Sequence, residues 1–417
     1  MPPLPVRTPP AAGRAASDLR GAGRLAVDAV LGLTDLVENL HHNILRVPAP
    51  LGAVSQQPTS GITGLVYRSI RGVTRLAGGT LDALLGQLVR LLDQPEALPS
   101  SAQREALVAA LNGVLGDHLA ASGNPLAIAM TLRHEARPLT LEPAALAAAL
   151  PQARPRVLLL LHGLCMHPGQ WQRGGFDIGA TLADQADATL LHLHYNSGLH
   201  VSANGLALAD LLQALQRAWP LPLQELAVVA HSMGGLLVRS ALHQATARGD
   251  DWPRLVRGVA FLGTPHHGAP LERGGNWIDR LLGASPYTAA FARLGKLRSA
   301  GITDLRHGSL LEADWAGADR FAHGRDTRVV VPLPAGVDCL AVAGALARPD
   351  AALSARLVGD GLVPVDSALG RHAQRRRCLD FAADRQLVLP GVGHLELMGH
   401  AEVLARLQRW LAELAPA

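Results

Sequence analysis

The sequence predicts an α/β fold whose sheet is mostly parallel and covered by helices on both faces. In the second part of the chain, short continuous apolar runs alternate with amphipathic helical patterns, and such runs are typical of strands that are buried on both faces. A further sign is the apolar run Leu226–Ala230, which is followed at once by a serine and by a helical pattern that starts on two glycines. This is the pattern of a sharp strand-to-helix turn that presents a side chain above the sheet.

The chain begins with a region of a different kind. The first 20 residues are proline-rich and are expected to be disordered, and residues 21–123 carry three helical patterns. The patterns cover residues 25–44, 62–92 and 100–119, and the third opens on a capping box formed by Ser100 and Gln103. We therefore expect a helical N-terminal region that ends near residue 123.

The second of these helices carries three arginines at helical spacing, Arg68, Arg71 and Arg75. A basic face of this kind binds a membrane surface in some proteins, so peripheral membrane contact through the N-terminal helices is one interpretation. The other is a solvated face on a helix that packs against its neighbours. Packing is favoured, because the basic face is short and nearby glycines weaken an isolated helix.

The α/β domain is expected to cover residues 124–417. It opens with an alternating apolar pattern at Leu126, Ile128, Met130 and Leu132, which predicts a strand. The further strand candidates are Val157–Leu161, Thr189–His194, Leu226–Ala230, Val259–Leu262, Cys339–Ala343 and Gln386–Leu389. The span from about 269 to 335 interrupts the alternation and is predicted to be a cap or lid insertion.

Composition excludes several classes of protein. Of the 417 residues, 48% are hydrophobic and 17% are charged, and the net charge is +4 with no basic cluster that contains aromatic residues. This distribution argues against a nucleic-acid partner. Cys165, Cys339 and Cys378 are too few for a disulfide framework or a zinc site. No metal and no cofactor are expected. The absence of a signal-like or membrane-length apolar segment leads us to expect a cytoplasmic protein.

Four motifs carry candidate chemistry. The strand ending at Leu161 runs into His162-Gly163-Leu164, and the predicted sharp turn presents Ser232. Asp360 lies on a glycine-flanked turn after the penultimate strand, and His394 lies in a glycine-rich loop between the last strand and the last helix. The order Ser, Asp, His along the chain is that of the hydrolase fold. The sequence thus predicts a catalytic triad of Ser232, Asp360 and His394.

These residue types suit acyl transfer. A serine hydroxyl is a poor nucleophile at neutral pH, so His394 is expected to accept its proton during attack and return it to the leaving group. Asp360 would hold the imidazole in the required tautomer. The backbone N–H groups of Leu164 and Met233 are the predicted oxyanion donors.

The chain resembles the α/β-hydrolase lipases and esterases, and among them bacterial esterase/lipase-family proteins and inositol-deacylase-like lipases. The motifs that carry the resemblance are LLLLHGL at 158–164, AHSMGG at 230–235, FLGTPHHGAPLERGGN at 261–276, DGLVPVDSA at 360–368 and GVGHLELMGH at 391–400. The resemblance implies an α/β-hydrolase fold and an ester as the substrate. It does not extend to the helices before residue 124.

Several nearby residues compete for the predicted roles. His400 is a rival for His394, and Asp366 is a rival for Asp360, although Asp366 falls where a helix cap is expected. His266 and His267 are expected to be structural, and His231 is expected to pack or hydrogen-bond behind the turn. Cys165 is interpreted as a small apolar filler. Glu396 occupies a calcium-ligand position of some bacterial lipases, but a capping or surface role is favoured here because no second carboxylate accompanies it.

Three functions are compatible with these motifs. The leading one is a serine hydrolase that acts on an apolar or lipid ester through an acyl-enzyme. The first alternative is an acyltransferase that uses the same triad, since only water access distinguishes the two reactions. The second is a binding protein on a hydrolase scaffold, attached to a membrane or granule by its N-terminal helices; the complete set of triad residues argues against it.

Overall fold

The computed structural model of the chain describes residues 17–25, 27, 102–173, 176–269, 299–317, 326–346 and 359–414. The helices predicted over residues 25–44 and 62–92, with their arginine face, lie almost entirely outside the described residues. Of the insertion predicted over about 269–335, residues 270–298 and 318–325 also lie outside the described residues.

The chain divides into two compact units. One comprises Arg7–Ser100 and Ala121–Leu126, and within it residues 17–25 are helical. Asn124 belongs to this unit: its side-chain amide donates to the carbonyl of Gly21 at 3.1 Å, and its Oδ1 accepts from the Leu126 N–H at 2.9 Å.

The other unit comprises Met1–Val6, Ser101–Ala120 and Ala127–Ala417. It therefore includes the third predicted helix, α1 (Ala102–Ala121), which the sequence analysis grouped with the N-terminal region. The reason lies in long-range hydrogen bonds. The Ser299 hydroxyl donates to the Gly113 carbonyl at 2.6 Å, and the Asn196 amide donates to the Gly116 carbonyl at 2.9 Å.

Ten strands lie in the described part of this second unit. They are β1 (Thr131–His134), β2 (Arg137–Pro138), β3 (Arg156–Leu161), β4 (Gln172–Arg173), β5 (Phe176–Asp177), β6 (Thr189–His194), β7 (Glu225–His231), β8 (Val256–Leu262), β9 (Asp338–Ala345) and β10 (Gln386–Pro390). Eight of them form one sheet in the order β10-β9-β8-β7-β3-β6-β1-β2, and β4 pairs only with β5. Neighbouring strands are parallel throughout the part of the sheet that runs β10-β9-β8-β7-β3-β6. At the other end, β1 is antiparallel to both β2 and β6.

The remaining helices lie between and after these strands. They are α2 (Pro143–Ala149), α3 (Ile178–Ala186), α4 (Val201–Ala218), α5 (Met233–Arg248), α6 (Ala300–Asp304), α7 (Val365–Ala368) and α8 (Ala401–Glu413). Among the described helices, none combines the length and the hydrophobicity that crossing a membrane requires.

Two apolar layers show that the sheet is covered on both faces. Side chains alternate along a strand, so Leu159 and Leu161 of β3 belong to the core layer that contains residues of α4 and α5. Leu158 and Leu160 belong to the opposite layer, with residues of α3 and α8. The predicted fold class, an α/β fold with a mostly parallel sheet covered on both faces, is confirmed for the described residues.

The predicted strands fall inside observed ones, except at the start of the domain. There the alternating pattern predicts a strand from Leu126, whereas β1 begins only at Thr131. The preceding backbone is bound elsewhere: the Ile128 N–H donates to the side chain of Asn112 in α1 at 2.9 Å. The backbone at Ile128 therefore binds helix α1 and does not pair with a strand, although the alternating apolar pattern had predicted a strand there.

Candidate active site

Ser232 occupies a strained turn between β7 and α5. Its backbone angles are φ 55° and ψ −123°, a conformation that costs energy for a residue with a side chain and persists where the surrounding structure enforces it. The Ser232 N–H donates to the Leu262 carbonyl of β8 at 2.8 Å. At Gly234 a Cβ would come within 2.8 Å of the His162 carbonyl oxygen, so the small residue predicted there is required by packing.

The end of β3 lies directly beside this turn. A Cβ added to Gly163 would lie 2.9 Å from the Ser232 Cβ, so Gly163 brings the backbone that leads into Leu164 close to the serine. Met233 is the first residue of α5, and the first N–H groups of a helix have no partner within the helix. The segment that leads into Leu164 thus lies beside Ser232, and Met233 follows Ser232 directly; their role as oxyanion donors stays a prediction.

Asp360 and His394 are in direct contact. The His394 Nδ1 lies 2.7 Å from the Asp360 Oδ2, and both side chains are buried. The Asp360 Oδ1 accepts from the N–H groups of Leu362 at 3.0 Å and Val363 at 2.8 Å. With a carboxylate as acceptor, the His394 Nδ1 carries the proton and the Nε2 is left as the basic nitrogen.

The backbone holds the same pair together. The His394 N–H donates to the Asp360 carbonyl at 3.1 Å. A Cβ at Gly263, immediately after β8, would lie 3.0 Å from the His394 Nδ1 and 3.1 Å from the Asp360 Oδ2. Gly263, with φ 59°, thus leaves space that a larger residue would take from the acid–base pair.

His231 lies behind Ser232 and makes the hydrogen bond that the sequence left as one of two options. Its Nε2 donates to the His394 carbonyl at 3.0 Å, and the two rings are 4.6 Å apart. Burial lowers the pKa of His231 well below its ordinary value of 6.5, and the nearby His394 lowers it further. His231 is therefore a neutral donor at physiological pH.

A second histidine supports the β3 side of the site. The His162 ring stacks on Tyr195 with centroids 4.4 Å apart, and the Tyr195 hydroxyl donates to the His162 carbonyl at 2.9 Å. Burial lowers the pKa of His162 to about 3. The stacked, uncharged rings and the hydrogen bond to the His162 carbonyl hold in place the backbone that leads to Gly163 and Leu164.

Helix α1 supports the next residue of that loop. The Cys165 N–H donates to the Ser197 hydroxyl at 3.0 Å, and a Cβ at Gly113 of α1 would lie 2.1 Å from the Cys165 Sγ. Burial raises the pKa of Cys165 to about 12, so the thiol is protonated and a poor nucleophile. The sequence predicted this helix but not its contact with Cys165, and it did not single out Ser197, since neither is near the motifs along the chain.

The rival residues have other contacts. His400 is the N-cap of α8 and accepts from the Glu402 N–H at 3.3 Å. Asp366 lies in the first turn of α7, six residues after Asp360, and pairs with Arg371 at 3.8 Å. Glu396 accepts from the Gly393 N–H at 2.7 Å, which is a capping contact within the histidine loop.

His266 and His267 have structural contacts in the described chain. The His266 Nδ1 lies 3.2 Å from Arg239 Nη1, and His267 donates to the Gly370 carbonyl at 3.0 Å. No group of three or more His, Cys, Asp or Glu side chains within the described ranges is arranged to hold a metal ion.

The predicted site residues meet at one edge of the sheet. Because β3, β7, β8, β9 and β10 are parallel neighbours, their carboxyl ends form the edge where ligands bind in open α/β folds. Ser232 follows β7, Leu164 follows β3, Asp360 comes after β9 and His394 follows β10. The arrangement can support nucleophilic attack at a carbonyl, with a base and two backbone donors nearby.

Comparisons with known proteins give a distant set of similarities. A family described as "Domain of unknown function (DUF7379)" matches residues 128–305. No curated protein sequence matches the chain.

Three solved structures illustrate the structural similarity. The mature lipase BlEst2 of Bacillus licheniformis is 17% identical with a TM-score of 0.40, covering 68% of this chain and 98% of its own. Phospholipase PlaB of Legionella pneumophila is 15% identical with a TM-score of 0.41, covering 63% and 60%. A hormone-sensitive lipase from a metagenome library is 17% identical with a TM-score of 0.36, covering 63% and 79%.

Proposed function

We propose that the protein is a serine hydrolase that cleaves carboxylic esters through an acyl-enzyme on Ser232. The observation that carries the proposal is the 2.7 Å contact between the His394 Nδ1 and the Asp360 Oδ2, at the same sheet edge as a serine on a strained strand-to-helix turn. This combination orients a neutral imidazole as a general base and presents a hydroxyl as the nucleophile.

The first half of the reaction forms the acyl-enzyme. The Ser232 Oγ attacks the ester carbonyl carbon while its proton passes to the His394 Nε2. The carbonyl oxygen becomes an oxyanion, which the N–H groups of Leu164 and Met233 stabilise by about 3 kcal/mol each. When the carbon–oxygen bond to the alcohol breaks, His394 gives its proton to the departing alcohol.

The second half releases the acid. A water molecule gives a proton to His394 and attacks the acyl carbon; the bond to the Ser232 Oγ then breaks, and the proton returns to Ser232. Asp360 stays ionised and stabilises the imidazolium in both halves. An alcohol in place of water would produce a new ester by the same steps.

An apolar acyl group is the proposed substrate feature. Leu164 and Met233, which flank Ser232, are buried and apolar, and the insertion sequence contains Trp277, Ile278 and Phe291. We propose cleavage of lipid-like esters on this basis, with peripheral membrane contact through Arg68, Arg71 and Arg75 as the accompanying proposal.

Covalent labelling tests the function. The full chain should react with a fluorophosphonate probe, the Ser232→Ala variant should not, and Cys165→Ala should react like the wild type. Turnover of p-nitrophenyl esters from acetate to decanoate should rise with chain length. Labelling that persists in Ser232→Ala would overturn the proposal.

Added primary alcohol distinguishes hydrolysis from acyl transfer. If the acyl-enzyme is resolved by water alone, the free acid is the sole product at every alcohol concentration. If ester appears in place of acid at low alcohol concentration, the protein is an acyltransferase. Cosedimentation with anionic vesicles, compared with a variant in which the three arginines are changed to glutamine, tests the membrane proposal.

A further inference from the structure

Three arginines and one carboxylate form a buried cluster, made of Arg239, Arg328, Arg377 and Asp326. The Asp326 Oδ1 pairs with the Arg328 Nε at 2.9 Å, and its Oδ2 lies 3.4 Å from the Arg377 Nη1. One carboxylate thus faces two guanidinium groups, and Arg239 adds a third positive charge. The cluster carries an excess of positive charge, and none of its three arginine side chains is more than 9% exposed.

Arg239 is the group with the greatest electrostatic cost. It lies in α5 and is only 4% exposed. Its hydrogen bonds go to neutral acceptors, the His266 Nδ1 at 3.2 Å and the Val331 carbonyl. Burial and the nearby Arg328 lower the pKa of Arg239 from 12.5 to about 9, so it is still charged at neutral pH. A buried charge normally has a counter-charge.

The neighbouring carboxylates are bound to other groups. Asp314 accepts from the N–H groups of Leu310 at 2.8 Å, Leu311 at 3.0 Å and Val329 at 2.8 Å. Asp304 pairs with His200 at 3.0 Å. The excess charge on Arg239 is therefore not balanced by a direct contact with a carboxylate among the described residues.

Two buried N–H groups, one in this cluster and one beside it, have no hydrogen-bond partner in the described part of the chain. One is the Arg239 Nε. The other is the Nε2 of His266, which carries the proton because the Nδ1 accepts from Arg239. Burial and Arg239 hold the pKa of His266 well below 6.5, so the ring is neutral. Both orphaned groups are donors, and a buried donor without an acceptor is costly.

These residues line a small cavity. Arg239, Arg328, Arg377, His266 and His267 contribute to its wall, together with apolar residues of the 329–331 segment. The cavity has a volume of about 20 Å³, which is enough for one water molecule. A monatomic anion is of similar size, whereas a phosphate or a carboxylate-bearing metabolite is much larger.

We propose that this cavity, which we call the arginine pocket, binds one small monovalent inorganic anion of the size of chloride. The anion would accept from the Arg239 Nε–H and balance the excess positive charge of the cluster. The site is distinct from the catalytic pair of Asp360 and His394, and the proposal does not depend on the proposed ester hydrolysis.

Thermal unfolding of the full chain tests the proposal. The unfolding midpoint is measured in sodium chloride and in sodium gluconate at equal ionic strength, because gluconate is too large for the pocket. We expect the midpoint to be higher in chloride, with a saturable dependence on its concentration. Arg239→Met should lose this chloride-specific increase. Arg248→Met is the matched control, since Arg248 lies at the exposed end of the same helix and pairs with Asp210 and Asp250; it should keep the increase.

Bromide locates the anion directly and does not depend on the folding of a variant. A crystal of the wild-type chain soaked in sodium bromide should show an anomalous peak within hydrogen-bond distance of the Arg239 Nε. Equal unfolding midpoints in the two salts, or a chloride effect that persists in Arg239→Met, would contradict the proposal. A bromide map without a peak in the arginine pocket would overturn it even if Arg239→Met failed to fold.

Discussion

The His231 Nε2 donates a hydrogen bond to the backbone carbonyl of His394 at 3.0 Å. His231 directly precedes Ser232, so this bond joins the turn that carries the proposed nucleophile to the loop that carries the proposed base. Because its pKa is held well below 6.5 by burial, His231 makes this contact without placing a second positive charge beside the imidazolium formed during the reaction. We infer that His231 is a positioning residue.

Removing this donor should slow turnover without weakening substrate binding. Replacing His231 with Leu should lower kcat about tenfold or more, the equivalent of one lost hydrogen bond of about 1.4 kcal/mol, with KM nearly unchanged. His231→Gln, which retains a donor, should recover part of the loss. Steady-state kinetics on a p-nitrophenyl ester measure both values. Equal kcat in His231→Leu and the wild type would refute the positioning role.

Ser232→Ala should abolish ester hydrolysis and leave the fold intact. The hydroxyl is needed for the covalent step, and alanine removes only one atom at a position that is already buried. Turnover and the thermal unfolding midpoint are measured on the same preparation. Retention of more than a few per cent of wild-type turnover by the folded variant would show that another group is the nucleophile.

Substitutions at Asp360 and Asp366 should differ sharply in their effect on turnover. Asp360→Asn should lower kcat by about 10⁴, as a change from carboxylate to amide does in a protease triad, because the amide favours the wrong imidazole tautomer. Asp366→Asn is the matched control and should act mainly on stability, since Asp366 lies in the first turn of α7. Kinetics and unfolding midpoints of both variants test this. A critical Asp366 with a dispensable Asp360 would move the acid to the later position.

Helix α1 should affect activity through the loop that it supports. Gly113→Ala adds a Cβ that would lie 2.1 Å from the Cys165 Sγ and 2.8 Å from its Cα. Helix propensity alone predicts that this change stabilises the protein by about 1 kcal/mol, whereas the contact with Cys165 predicts lower stability and lower kcat. Unfolding midpoints and kcat decide between them, and a more stable, fully active variant would show that α1 does not constrain the loop.

Stability should fall as the pH falls below about 6.5. Burial lowers the pKa of His162 to about 3 and that of His192 to about 4, whereas both titrate near 6.5 in the unfolded chain. Between these values the unfolded state binds protons that the folded state does not, so each histidine lowers the unfolding free energy by about 1.4 kcal/mol per pH unit. Chemical denaturation from pH 8 to about pH 5 measures the slope, and His162→Phe should reduce it. An unfolding free energy that stays constant over this pH range would contradict the lowered pKa values of these histidines.

Local patterns in the sequence were sufficient for much of the sheet and for the positions of the candidate residues. Apolar runs such as Val157–Leu161 predicted strands because a strand buried on both faces must be apolar along its whole length. Ser232, Asp360 and His394 could be named because each lies in a short motif whose small residues and turns are set by local backbone geometry. Ser232 itself adopts the positive φ that such a turn requires.

What depended on the tertiary structure were contacts between residues far apart along the chain. Three such contacts have no local signature: the hydrogen bond from the Cys165 N–H to Ser197, the support of that loop by Gly113, and the pairing of Asp326 with Arg328 and Arg377. The strand predicted from Leu126 was too long because Asn112 of α1 binds the backbone there. The sequence by itself determined which residues are candidates for chemistry and where most of the strands lie, because both follow from short-range sterics and hydrophobic periodicity. Only the tertiary structure decided which polar groups meet in the interior, because buried donors and charges must find partners wherever the folded chain brings them.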